Sequence, residues 1–280
     1  MMMLSLIRNE VFKIFSYYRT YLSYLFIVLL VPLIFWGFSI GGSTVERQLT
    51  HAMGDQFLMV GKLVNAYTVS YFVMNFLWVH IPFLIALVGG DVLAGEEAAG
   101  TYRVYLTRPV SRLKIFNAKA IATLIYTLTV ILCLAFMSLG IGAVWMGLGD
   151  LIVFQDGILV LPASTAFVRF SLAYGLSFLN MAVVASLAIF FSSMVKNAIG
   201  PVIGTMAIII VFLAVSTLPL DFFVSIRPYF FTTYFDSWAK AFFDPIPWDI
   251  LWQATWVALL HIGLLLGGSY FIFRRKDILS

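Results

Sequence analysis

Charged residues divide the chain into long stretches that carry no charge. These stretches cover residues 20–45, 63–90, 120–149, 170–195, 197–220 and 250–273. Even the shortest has 24 residues, more than the roughly 20 that a helix needs to cross a bilayer. None shows the alternating polarity of barrel strands, and backbone groups in lipid must pair internally. The pattern therefore predicts six transmembrane helices, at about 21–39, 66–90, 118–148, 168–194, 198–217 and 250–273.

The composition agrees with this prediction. Hydrophobic residues make up 62% of the 280 and mean hydropathy is +1.01, whereas soluble domains average roughly 45–50% apolar residues. We therefore expect an all-α integral membrane protein with a single transmembrane domain, residues 1–280. The apolar core of the first span, "YLSYLFIVLLVPLIFWGF", is longer than a signal-peptide core and no A-x-A-like site follows it. We expect this span to remain as a membrane anchor.

Lysine and arginine are concentrated in alternate connections between the spans. Twelve of the 17 lie on one predicted side: Arg8, Lys13, Arg19, Arg103, Arg108, Arg112, Lys114, Lys119, Lys196, Arg274, Arg275 and Lys276. Cytoplasmic loops carry such an excess of basic residues. We therefore expect a multi-pass protein of the inner (plasma) membrane with both termini in the cytoplasm.

Two segments outside the spans have an amphipathic or aromatic pattern. Residues 4–19 place apolar side chains at helical spacing, which predicts a helix lying in the cytoplasmic interface or a cytoplasmic extension of a long first helix. Residues 218–249 form an outer linker with eleven aromatic residues, interrupted by charges and prolines. Aromatic residues are enriched at headgroup level, so we expect short outer re-entrant helices before the last span.

Several kinds of chemistry have no support in the sequence. The Gly61–Lys62 pair lacks the other residues of a P-loop, and no G-x-S-x-G motif is present. The single cysteine, Cys133, excludes a disulfide framework and a cysteine-based metal site. The six predicted spans contain no Asp or Glu, which argues against a proton-coupled transporter. We expect no catalytic, cofactor or metal site in this chain, and an energy source on another chain.

Four polar residues lie within predicted spans and are candidate intramembrane sites: Asn75, His80, Asn180 and His261. An ionisable residue in a membrane is a functional hypothesis, because its burial is costly. Each histidine is either neutral and hydrogen-bonded across helices, or part of a proton relay or substrate site. The two asparagines suit an amphipathic or lipid-like cargo, but ordinary helix packing uses the same residue type.

The connection between spans 2 and 3, residues 95–112, contains an unusual concentration of charge. Its sequence runs "GEEAAGTYRVYLTRPVSR". The part "GTYRVYLTR" suits about two helical turns, Pro109 stops that helix, and Ser111 suits the N-cap of span 3. A loop that only sets topology is the alternative, but topology requires neither the Glu96–Glu97 pair nor a punctuated helix.

These residues carry a resemblance to a known family. Glu96-x-x-x-Gly100-Thr101, then Leu106-x-x-Pro109-x-Ser111-Arg112 and Lys119, resemble the cytoplasmic loop of ABC-2 type permeases. The segments "LIRNEVFKIF", "FFSSMVKNAIG" and "FIFRRKDIL" resemble other parts of that family less specifically. The resemblance implies a non-catalytic permease subunit of an ATP-driven exporter, in which residues 96–108 form a coupling helix seated in a cleft of a separate P-loop ATPase.

The resemblance also implies the other partners. ATP and Mg are expected on the ATPase, and a second permease copy, identical or a close paralogue, would form the substrate path with this one. Membrane lipids surround the assembly, a periplasmic or extracellular accessory protein is compatible with it, and no nucleic acid is expected.

The predicted coupling residues divide by chemistry. They are Glu96, Glu97, Gly100, Thr101, Tyr102, Arg103, Tyr105, Leu106, Arg108, Pro109, Ser111 and Arg112. We expect the two glutamates near the start of the transverse helix, where its dipole favours negative charge, available to a basic partner. The tyrosines and leucine are candidate interface anchors, and the arginines would pair with ATPase carboxylates or lipid phosphates.

A rival interpretation comes from another class of protein. A stand-alone membrane enzyme or sensor would use the aromatic linker and His51 to handle a lipid or a metal. Copurification with a soluble P-loop ATPase separates the two interpretations.

Overall fold

The computed structural model describes residues 2–53, 64–100, 110–154, 158–218 and 221–276. Over these residues the chain is helical apart from one antiparallel hairpin of β1 (Leu151–Phe154) and β2 (Ile158–Leu161). The helices are α1 (Met2–Phe15), α2 (Tyr18–Met53), α3 (Ala66–Leu77), α4 (Ile81–Gly89), α5 (Asp91–Ala98), α6 (Arg112–Ala135), α7 (Gly142–Met146), α8 (Ala163–Met194), α9 (Ile199–Thr217), α10 (Asp221–Val224) and α11 (Trp248–Arg275). A π-helical turn, Phe136–Ile141, joins α6 to α7, and 3-10 helices lie at Arg227–Tyr229, Phe231–Tyr234 and Ser237–Phe242.

The described residues contain five helices that are long and apolar enough to cross a membrane. They are Tyr18–Gly42, Arg112–Met146, Ala163–Met194, Ile199–Thr217 and Trp248–Arg275. A sixth candidate is a bent pair, Ala66–Leu77 with Ile81–Ala98. The prediction of a helical, multi-pass membrane protein is therefore confirmed, with five or six candidate spans.

The second candidate span is broken, whereas the sequence analysis treated residues 66–90 as continuous. The axis of the span bends by 54° between its two halves, with a turn at 78–80 between them. Pro82 lies in the first turn of α4. Proline has no backbone N–H and clashes with the preceding turn of a helix, so one uninterrupted helix through residue 82 is disfavoured.

The other predicted bounds also shift. The helix that contains the first span extends to Met53, α6 begins at Arg112 and α8 begins at Ala163. The connection before α8 contains the β-hairpin, whose strands pair Leu151 with Leu161; no strand was predicted there.

Helix α1 is a separate helix, since a turn divides it from α2 at residues 16–17. Its apolar stripe contacts the protein: Ile14 is buried, and Val11 and Phe15 pack against the main core. The neighbouring helix along α1 is α6. The exposed face of α1 carries Leu4 and Phe12 instead. An interfacial position for α1 stays a prediction, but its apolar stripe is used for packing within the protein.

Helix α8 is the centre of the bundle. In the most apolar 18-residue stretch of α8, 72% of the residues are buried, against 17–44% in the corresponding stretches of the other single-helix candidates. It contacts α4, α5, α6, α9, α11 and the last of the 3-10 helices. Small residues such as Ala173, Ala182 and Ala185 are fully or almost fully buried along it, and small side chains let neighbouring helices approach closely.

The linker before the last span packs into the protein more than its aromatic content predicted. Phe231, Phe235, Trp238 and Phe242 are buried in the main core cluster, whereas Phe222 remains exposed. The linker forms 3-10 helices with one short α-helix. The prediction that these helices re-enter the outer leaflet is not tested by the fold.

Candidate functional site

The two termini meet the connection between α5 and α6 at one end of the bundle. Lys13 of α1 forms an ion pair with Glu96, and Lys276, directly after α11, forms one with Glu97. Because the two glutamates are consecutive, α1 and the end of α11 both lie beside α5. We call this end of the bundle the terminal end.

A buried lysine joins three helices at the terminal end. Lys119 of α6 places its Nζ atom 2.8 Å from Oε2 of Glu10 in α1 and 2.5 Å from Oε1 of Glu96 in α5. The three side chains are only 2%, 8% and 5% exposed. A buried charge is costly unless it is paired, so these ion pairs require α1, α5 and α6 to stay together.

A further ion pair fixes the start of α5. Arg19, in the first turn of α2, places Nη1 2.6 Å from Oδ1 of Asp91, the first residue of α5. A carboxylate at this position also interacts favourably with the helix dipole. A cavity of about 200 Å³ lies here, and its lining includes Glu10, Lys13, Arg19, Asp91, Glu96 and Lys119 together with Tyr17 and Thr20.

The first turn of α5 is bound to the end of the central helix. Ser192 Oγ of α8 accepts hydrogen bonds from the amides of Leu93 (3.1 Å) and Ala94 (2.8 Å), and donates to the carbonyl of Gly90 (2.5 Å). The first amides of a helix have no partner within it, so a serine nearly one hundred positions away caps α5. No local signal in the sequence identifies Ser192.

An apolar cluster packs at the terminal end, in the same region as the ion pairs. It consists of Leu93, Ile115, Phe116, Ala120, Ile189 and Phe273. These residues come from α5, α6, α8 and α11, so the polar and apolar contacts join the same elements.

The start of α6 lies against the end of α11. Ser111 caps α6 as the sequence predicted, with its Oγ accepting from the amide of Lys114 at 3.4 Å. Arg112 Nη1 donates to the carbonyls of Arg274 (2.7 Å) and Lys276 (3.1 Å). The Arg112 side chain therefore binds to the end of α11 in the same chain, a contact that was not predicted from the sequence.

Glu96 and Glu97 lie in the last turn of α5, because α5 begins at Asp91, just after α4. The transverse helix that the sequence predicts after them falls mostly on residues 101–109, outside the described residues. The negative end of the α5 dipole is unfavourable for the two glutamates, and the lysine partners offset it. The two carboxylates, expected to be available to a partner protein, are paired within the chain.

Of the remaining eight predicted coupling residues, the structure describes one, Gly100. Gly100 follows the end of α5 with a φ of +66°, a left-handed conformation that favours glycine. Seven others lie outside the described residues: Thr101, Tyr102, Arg103, Tyr105, Leu106, Arg108 and Pro109.

Of the four intramembrane candidates, only Asn180 is seen to hydrogen-bond to another element. Its Nδ2 donates to Ser237 Oγ at 3.1 Å and to the carbonyls of Tyr234 and Phe235 at 3.4 and 3.3 Å. Arg169, which the sequence analysis did not select, also binds this linker, through the carbonyl of Ala241 at 3.2 Å. Two residues of α8 thus hold the linker before the last span.

The other three candidates hydrogen-bond within their own segments. Asn75 donates to the carbonyl of Tyr71, while Nδ1 of His80 lies 3.0 Å from the Phe76 carbonyl. Nδ1 of His261 lies 2.8 Å from the Val257 carbonyl. In the part of the chain that is described, no hydrogen bond joins any two of the four candidates, so they do not form a common site.

Among the described ranges, no group of three or more His, Cys, Asp and Glu residues is arranged to hold a metal ion.

Comparison with known proteins bears on the whole arrangement. A family model described as ABC-2 family transporter protein matches residues 4–230, which includes the terminal-end helices α1 to α6 and the central helix α8. A comparison with curated proteins finds no match. The matched region spans most of the chain and contains the loop whose residues first suggested the resemblance. The chain therefore belongs to the ABC-2 family of transporter proteins, as a membrane-embedded permease.

Proposed function

We propose that this permease is the membrane subunit of an ATP-driven exporter and that it couples to a separate cytoplasmic P-loop ATPase through the connection between α5 and α6. One observation carries the proposal. Helix α5, which leads into that connection, is ion-paired to α1, to α2, to α6 and to the residue after α11. A displacement of α5 would therefore disturb contacts with four other elements at once.

Contacts with the central helix offer a route from the terminal end into the bundle. Ser192 holds the first turn of α5 on α8, and α8 contacts α4, α9 and α11. Coupling requires that the nucleotide state of the ATPase bias two arrangements of the spans through different contact free energies. The α5–α8 junction is the element that would carry this bias.

The remaining features of the proposal come from the family and from charge. A second permease copy would complete the substrate path, and ATP with Mg would bind to the ATPase alone. The concentration of basic residues at the terminal end supports a cytoplasmic location for both termini in the inner (plasma) membrane.

The proposal is tested by purifying the full-length chain in mild detergent and identifying associated proteins. We expect a P-loop ATPase whose hydrolysis rate depends on the permease. Gly100→Pro should sharply reduce that dependence while membrane insertion continues, because proline fixes φ near −65° and Gly100 has a φ of +66°.

Gly147→Pro is the matched control. Gly147 also ends a helix with a positive φ, +79°, and its amide also donates to a carbonyl of the helix that it ends. It lies at the other end of α6–α7, away from the terminal end. A permease that purifies alone and without an effect on any ATPase would refute the proposed function.

A further inference from the structure

We infer that the end of the last span, Arg274–Lys276, is a positioning element of the coupling apparatus, because it holds the residues on both sides of the α5–α6 connection. This inference rests on the proposed function and deepens it. It assigns a role to a C-terminal segment that is remote in sequence from residues 95–112.

The segment holds the near side of the connection through an ion pair. Lys276 Nζ pairs with Oε2 of Glu97, and Glu97 lies in the last turn of α5. The two side chains are 22% and 17% exposed. This pair is thus partly shielded from water, so water and salt weaken its attraction less than they weaken that of a fully exposed pair.

The same segment holds the far side through its main chain. The guanidinium of Arg112, the first residue of α6, donates to the carbonyls of Arg274 and Lys276. The last carbonyls of a helix lack partners within it and form the negative end of its dipole. A cation at this position therefore satisfies groups that α11 would otherwise leave to solvent.

Apolar packing keeps the end of α11 from fraying. Phe273 is buried in the cluster with Leu93 of α5 and Ile115 of α6. Its ring lies 6.0 Å from that of Phe116, measured between centroids, and the Tyr270 ring lies 5.7 Å from Phe116. These contacts hold the last turns of α11 against α5 and α6.

The consequence concerns movement of the last span. Helix α11 packs along α8, so a rearrangement of α11 relative to α8 would move Lys276 and, with it, both ends of the connection. Conversely, a partner that pulls on the connection would load α11 directly. The last span is therefore linked to the coupling connection by its own contacts with Glu97 and Arg112. Helix α4 takes no part in this link.

Arg275 provides a matched control within the same segment. It is exposed, and its guanidinium carbon lies 4.0 Å from the Phe271 ring of its own helix. Reversing its charge changes the same helix end by the same amount but leaves the contact with Glu97 in place.

The first experiment uses the purified full-length permease alone. Hydrogen exchange of residues 95–100 and 110–116 should become faster in Lys276→Glu than in Arg275→Glu. The double variant Lys276→Glu/Glu97→Lys, which restores an ion pair with reversed charges, should return exchange to near the wild-type rate. Equal exchange in Lys276→Glu and Arg275→Glu overturns the positioning role, whether or not an ATPase is found.

The second experiment uses the permease with its ATPase. Lys276→Glu should still assemble but lose about fivefold or more of the permease-dependent hydrolysis, in the range of ordinary coupling effects, and the charge-reversed double variant should recover it. Altered exchange with unchanged hydrolysis overturns the coupling part of the inference. If no ATPase associates with the wild-type chain, the proposed function fails and its coupling part fails with it, whereas the exchange result still decides the positioning role.

Discussion

Lys119 is the residue whose replacement should destabilise the terminal end most. Lys119→Met removes the cation that, among the described residues, pairs with Glu10, which is 8% exposed, and it also removes a cation that pairs with Glu96. Methionine keeps most of the volume of lysine, so the change tests charge rather than packing. Glu96 retains Lys13, and Glu10 is left with a buried, uncompensated charge.

The size of the effect follows from the distances. Two unit charges 2.8 Å apart interact by about 6 kcal/mol at an effective dielectric constant of about 20. Part of this is offset by the cost of taking the charges out of water, and breaking a buried ion pair typically costs about 3–5 kcal/mol. We expect a loss in that range in the free energy of unfolding.

The assay is unfolding of the purified protein by SDS in mixed micelles, followed by circular dichroism. Lys114→Met is the control, since Lys114 is exposed on the same helix and such surface changes usually stay within about 0.5 kcal/mol. Lys119→Met/Glu10→Gln should recover most of the loss, because Glu96 keeps Lys13 while Glu10 becomes neutral. If Lys119→Met matches Lys114→Met within about 1 kcal/mol, the ion pairs do not stabilise this end and the reasoning is refuted.

Two further predictions concern contacts made by the central helix. Ser192→Ala removes the hydroxyl that accepts from two amides of α5 and should cost about 1–3 kcal/mol in the same SDS titration. Ser193→Ala removes a hydroxyl that donates to a carbonyl of its own helix and should cost less, and an equal cost would contradict the cap. Asn180→Ala removes the donor to the linker and should speed hydrogen exchange over residues 231–242. Asn75→Ala, which loses only an intrahelical bond, should leave that region unchanged, and a similar effect of both variants would count against the role of Asn180.

The sequence determined much of the fold because lipid imposes a simple rule. Six uncharged stretches of sufficient length became five helices and one bent pair. The bend was missed even though Pro82 was visible, because a proline in the first turn of a helix and a proline within one look the same until the helix start is known. The β-hairpin at residues 151–161 was not predicted, because the connection between the third and fourth spans was treated only as a link between helices.

The candidate site was harder to predict than the fold. The resemblance directed attention to residues 95–112, but the partners of the charges there lie far away in sequence. Lys119 joins Glu10 across 109 positions, and Lys276 joins Glu97 across 179. Such pairings depend on how helices pack, which no local pattern contains. Because α5 begins at Asp91, Glu96 points into the protein rather than toward a partner.

The central position of α8 has a consequence for how the chain assembles in the membrane. Chains are synthesised from the N-terminus, so α2, the bent pair and α6 enter the bilayer before α8 exists. The faces of α4 and α6 that pack on α8 must then contact lipid or each other, and the cap that Ser192 provides for α5 is not yet available. Helix association in lipid follows insertion as a separate stage. The terminal end can therefore take its final form only after the fourth candidate span has been inserted, and its ion pair with Lys276 can form only after the last span has been synthesised.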